Sequence, residues 1–150
     1  MASEYSLVIS TDFNSIRALH IVSKGLGLEW EDSNTYLIGP GVLVGATSQG
    51  ALGQSVIEEA FGFRPDISVL FRINPKEDHE KGRHTLLRAT MELLRQIPGD
   101  AILLFNGENI ILQRIEGQLV LNEEWGNWTA SQLAEVTLPY KLRNLPSPLL

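Results

Sequence analysis

Two dipeptide turns, Asn106-Gly107 and Glu116-Gly117, stand one strand-length apart and constrain this chain more than any other feature. Asn-Gly is the strongest short hairpin signal, because both central residues of a type I′ turn need positive φ. With the apolar runs beside them, the two turns predict three consecutive strands, Ala101–Phe105, Ile110–Ile115 and Gln118–Leu121, folded as an antiparallel meander. Such a sheet needs a cover for its apolar face, and one is encoded just upstream. Leu86, Thr90, Leu93 and Ile97 form one helical stripe, and Leu87, Met91 and Leu94 form the adjacent one. Pro98-Gly99 ends this helix. Arg83, Arg88, Glu92 and Arg95 cover its solvent side, with Arg88 and Glu92 at i,i+4 spacing. Before the helix, Ile67, Val69, Phe71 and Ile73 alternate with Ser68, Leu70 and Arg72, which predicts a strand between Pro65 and Asn74-Pro75.

The first half is less regular. Tyr5, Leu7 and Ile9 alternate with Ser6, Val8 and Ser10 and predict a strand. Thr11, Asp12 and Asn14 supply N-cap oxygens for a helix carrying Ile16, Leu19 and Val22, with Gly25 as its C′ stop. Short strands are expected at Thr35–Ile38 and Val42–Ala46, around Gly39-Pro40-Gly41, and a short helix from Ser55 to Phe61, with Ser55 as cap and Glu58 at the capping-box position. After the meander, Thr129 caps a last short helix to Glu135. A tail with Pro139, Pro146 and Pro148 is expected to be irregular from about residue 136. The result is a single domain over residues 1–150 of the α+β class. Its mostly antiparallel sheet is packed by two main helices in the order β-α-β-β-(α)-β-α-β-β-β.

Composition narrows the function classes. The chain has 150 residues, 43% of them hydrophobic, so it can bury a sizeable core. It has no cysteine, which removes thiolate nucleophiles, disulfides and Cys-type zinc sites. The opening residues lack a basic, apolar secretory pattern, and no apolar run approaches bilayer length, so a cytoplasmic protein with no membrane partner is expected. The net charge is −6, and residues 96–135 carry six acids against one base, Arg114. Nucleic-acid binding needs the opposite balance. An acidic surface attracts and steers a basic protein.

Catalytic and metal chemistry find little support. Gly39 to Gly45 has no lysine placed as a phosphate loop requires. His79 and His84 flank Glu80, but their five-residue spacing does not put two imidazoles on one helical face, so they read as solvated residues at a helix start. His20 reads as a boundary residue of the first helix. The neighbouring pairs Glu58-Glu59 and Glu123-Glu124 do not face each other as glycosidase acids must. Asn127-Trp128-Thr129 matches a glycosylation acceptor by chance. No catalytic residue, cofactor or metal is therefore expected. Trp125 and Trp128 stand three apart beside Glu123 and Glu124. Two readings are open for them: a cover over the side of the sheet, or interface anchors within an acidic rim. Glu108, Glu116, Glu123, Glu124, Trp125 and Trp128 are accordingly the candidate partner-binding residues.

Several of these segments also carry a resemblance. The strand Ser68-Val69-Leu70-Phe71-Arg72, the long helix and the run Pro98 to Glu108 are followed by Ile111-Leu112-Gln113-Arg114, the Gly117 turn, Leu119-Val120-Leu121-Asn122 and Trp125. Together with the opening Glu4-Tyr5-Ser6-Leu7, they resemble the immunity proteins of the swarming-inhibition toxin systems first described in myxobacteria. The likeness is good from Asp66 to Trp128 and poor over residues 26–60 and the tail. It implies a cytoplasmic antidote that binds and neutralises a cognate bacterial toxin, and it brings no catalytic residues. Two other readings stay open: a small-ligand or enzymatic domain with its site in the glycine-rich 39–53 region, and a structural subunit of a homo-oligomer.

Overall fold

In a computed structural model of the protein, the alternating segments pair into one mixed sheet. The structure describes residues 3–74, 76 and 79–146; Pro75, read above as bounding a strand, and Pro148, read as part of the tail, lie outside them. The strands are β1 (Ser3–Ile9), β2 (Glu29–Trp30), β3 (Leu37–Gly39), β4 (Val42–Ser48), β5 (Ile67–Ile73), β6 (Ala101–Phe105), β7 (Asn109–Ile115), β8 (Gln118–Asn122) and β9 (Lys141–Arg143). Their order across the sheet is β2-β3-β4-β5-β1-β6-β7-β8-β9, antiparallel except for the β8–β9 pair. The expected α+β class with a mostly antiparallel sheet holds.

The odd residues of β1 and β5 point to one face. Tyr5, Leu7, Ile9, Ile67, Val69, Phe71 and Ile73 lie there in the main core. Helices α1 (Ser15–Leu26) and α3 (His79–Gln96) cover this face, with Ala18, Leu19, Val22, Leu86, Leu93 and Leu94 buried against it. The other face has a smaller cluster. There α2 (Ala51–Phe61) lays Ile57, with Phe63 just beyond, over Val8, Ile102, Leu104 and Ile110.

The two turns fold as their sequences require. Asn106 and Gly107 have φ of 52° and 74°, and Glu116 and Gly117 have φ of 50° and 80°. Between β6 and β7 the register shifts, so that Leu103 faces Leu112 and Leu104 faces Ile110. This bulge turns both Ile111 and Leu112 into the main core, which a strict alternation cannot do.

Several local expectations are corrected. The helix-one stop is Gly27, with φ of 70°, and not Gly25. Gly25 lies inside α1, where a Cβ would meet Glu92 Cγ at 2.6 Å. Helix α2 starts at Ala51 behind Gly50, not at Ser55, and Gln54 Nε2 secures it by donating to the Pro65 carbonyl at 2.9 Å. Arg88 pairs with Glu135 and not with Glu92, whose partner is Arg95 at 2.9 Å. The tail expected to be irregular contributes β9. Asn122 holds it: Nδ2 donates to the Ile110 and Leu145 carbonyls at 2.7 and 2.9 Å, while Oδ1 accepts from the Leu145 and Glu124 amides.

Arg114 has a structural task. It is buried, and its guanidinium donates to the carbonyls of Leu94 (2.5 Å), Ile97 and Gly99 (2.7 Å). Those carbonyls end α3, so the one base of the acidic segment caps the negative end of the long helix. Burial lowers its pKa, and Asp100 partly offsets that.

Candidate functional site

The predicted partner-binding residues fall into two groups. Glu123, Glu124, Trp125 and Trp128 follow β8 and gather at one end of the sheet. The Trp125 and Trp128 rings meet edge-on at 4.6 Å, and Trp125 stands edge-on to Tyr5 at 6.4 Å. Trp128 Nε1 donates to the Asn122 carbonyl at 2.8 Å. Both tryptophans are half-buried against the main core. Burial raises the Tyr5 phenol above its ordinary 10.0, an effect partly offset by the charge of Arg83 and a bond with Trp125. The aromatic pair therefore seals this end of the core and leaves an edge open. A groove of about 660 Å³ runs along that edge, with Asn109, Glu124, Trp125 and Asn127 in its lining. Glu108, in the β6–β7 turn, is at the same end. Glu116 lies at the far end of β7, roughly 20 Å away at strand rise. Its amide donates to Asp100 Oδ1 at 2.9 Å. Strand β9 brings Lys141 and Arg143 alongside β8, so the corner is not uniformly acidic.

The most unusual surface lies on the second face, over β3, β4, β5 and β1. Residues directly opposite in a sheet share a face. The register places Glu29, Ile38, Leu43, Arg72 and Glu4 in one transverse row. Gly45, Leu70 and Ser6 form the next row, with Tyr36 lying against Gly45: a Cβ there would meet the Tyr36 ring at 3.0 Å. Helix α2 covers the neighbouring rows around Val8 and Ile102 but not these. Tyr36 is 47% exposed, Ile38 52%, Leu43 41% and Leu70 43%. They line a shallow depression of about 570 Å³. Sequence reasoning placed Leu70 outward, but it missed this patch because the strand register of residues 29–46 was not legible.

A third cluster joins α3 to α4 (Ala130–Leu133). Ser131 Oγ lies 2.9 Å from His84 Nε2, and His84 Nδ1 lies 3.3 Å from Glu135 Oε2. The order resembles a hydrolytic triad. Its chemistry does not. The same Glu135 oxygen accepts from Arg88 Nε at 2.5 Å, so its charge is engaged by a full cation. Ser131 is exposed on a four-residue helix, away from the strained turn that presents a nucleophile. The cluster clasps α4 onto α3. Thus the bland reading of His84 as a solvated residue misses a tertiary contact. His20 is exposed, with its ring 5.1 Å from that of Trp30 and tilted by 55° to it. Gly39-Pro40-Gly41 is the β3–β4 hairpin turn, with Gly41 at φ 71°. Among the described residues no group of three His, Asp or Glu side chains could hold a metal, and no helix is long and apolar enough to cross a membrane.

Comparison with known proteins adds identity to this geometry. The family model described as SitI3-like matches residues 3–132. The match takes in residues 26–60, where the likeness had looked poor, and therefore the strands of the outer patch. Neither the curated proteins nor the solved structures contain a match. By the match over most of its length, the chain belongs to the SitI3-like family, and SitI proteins are immunity proteins of toxin systems.

Proposed function

We propose that this protein is a cytoplasmic immunity protein of a swarming-inhibition-type toxin system, and that it binds and neutralises a cognate toxin. Family membership over residues 3–132 carries the reading. The surface chemistry supports it. The net charge of −6, with Glu108, Glu123 and Glu124 at one end of the sheet, suits a basic protein partner. Binding does the work, with no bond made or broken by this chain. The test is growth rescue: the product of the neighbouring gene is expressed alone and together with this chain. Toxicity that this chain relieves, with a complex that co-purifies, is the expected result. A harmless neighbour, or toxicity without relief, would sink the proposal.

A further inference from the structure

Antiparallel sheets with one solvated face alternate apolar-in with polar-out. The outer rows of β3, β4 and β5 break that rule at Ile38, Leu43 and Leu70, and Tyr36 beside β3 adds an aromatic surface. Scattered exposed apolar residues need no explanation, but a contiguous patch does. This one is contiguous by register. Gly45 also belongs to it: the missing side chain lets the Tyr36 ring lie across the sheet. The other exposed large apolar residues described, Ile16, Leu52, Tyr140 and Leu142, sit on α1, on α2 and at β9.

The rim has a sign. Glu29 ends the first row on the β2 side, and Glu31 lies in the lining of the depression itself. Glu4 ends the row on the β1 side, 3.7 Å from Arg72, so the one cation of the row is met by a carboxylate. An apolar centre inside a polar rim is the anatomy of a protein interface. A second copy of this chain would bring the same carboxylates face to face, which charge repulsion disfavours. A partner with an apolar prominence ringed by Lys or Arg meets no such penalty.

We infer that the cognate toxin docks on the outer face of β3, β4, β5 and β1, seating an apolar prominence on Tyr36, Ile38, Leu43 and Leu70 and placing basic groups against Glu4, Glu29 and Glu31. This rests on the immunity reading above and locates its contact surface. All four apolar residues are at least two-fifths exposed, so substitution there spares the core.

The experiment uses the whole chain and the purified product of the neighbouring gene, with affinity measured by calorimetry. Light scattering and thermal unfolding are run on each variant. The wild type binds. Leu43→Lys with Leu70→Lys weakens binding about 100-fold at an unchanged unfolding midpoint, as expected for central anchors. Ile16→Lys with Leu52→Lys leaves affinity unchanged. If the lysine pair unfolds, Leu43→Thr with Leu70→Thr, which keeps strand propensity, decides with an expected loss of about 10-fold. A wild type that binds, with outer-face variants that bind equally well, overturns the docking face and leaves the immunity reading standing. A wild type that neither binds nor rescues overturns both. A wild-type dimer that the lysine pair splits, with toxin affinity unchanged, assigns the face to a second copy and overturns the inference.

Discussion

At the scale of single residues, the most informative side chain acts on a backbone end. Arg114 satisfies the carbonyls of Leu94, Ile97 and Gly99 at the end of α3. Arg114→Met fills most of the volume but leaves those acceptors without a donor. It should lower unfolding free energy by about 3 kcal/mol, read from urea denaturation at unchanged m-value. Glu116 shows the opposite case. Its φ of 50° is a left-handed conformation that favours Asn or Gly. Glu116→Asn recreates the Asn-Gly pair of the neighbouring hairpin and should raise stability by about 0.5–1 kcal/mol, seen as a higher melting temperature. Gly99 shows a third kind of constraint, since a Cβ there would stand 1.8 Å from the Ser10 carbonyl oxygen.

At the scale of elements, legibility followed the length of the pattern. The meander β6–β7–β8 and strand β5 are legible in the sequence almost to the residue, because each has a clear period or a strong turn, whereas α3 is legible in its apolar stripes from Leu86 to Ile97 but not in its charged first turns from His79. Strands β2 and β3 span two and three residues, too few to show a period. Helix α2 was placed late because its first turn contains Gly53 and lacks a side-chain cap, while its docking on the sheet through Ile57 and Phe63 is a tertiary effect. Strand β9 was missed for a related reason. Nothing in Lys141-Leu142-Arg143 asks for a strand, and Asn122 imposes it from the other side. Asn122→Ala removes four hydrogen bonds and should cost about 2–3 kcal/mol. Hydrogen exchange should then show lost protection confined first to residues 141–145, and protection equal to wild type there would contradict the staple. The candidate site divides likewise. Glu123, Glu124, Trp125 and Trp128 are adjacent in sequence and were visible. The outer patch and the Ser131–His84–Glu135 clasp depend on register and on helix packing across tens of residues.

At the scale of the whole molecule, the sheet has unequal faces. One carries α1 and α3, and the other carries α2 on part of its area only. The acidic residues at the β8 end and the apolar rows on β3, β4 and β5 therefore have different tasks under the proposed function: long-range attraction and short-range fit. Glu123→Lys with Glu124→Lys should slow association with the toxin about 10-fold at low salt and flatten its salt dependence, with dissociation little changed, as stopped-flow mixing would show. An unchanged association rate would remove these two residues from the steering role. The middle position of β1 has a temporal consequence. Its hydrogen-bonding partners β5 and β6 lie some sixty and ninety-five residues further along the chain. On the ribosome one edge of β1 stays open until β5 has emerged and the other until β6 has, and pairings between such distant segments form slowly. Under the proposed function, a cell that makes toxin and antidote together is thus guarded only after a lag, and antidote folded earlier has to cover it.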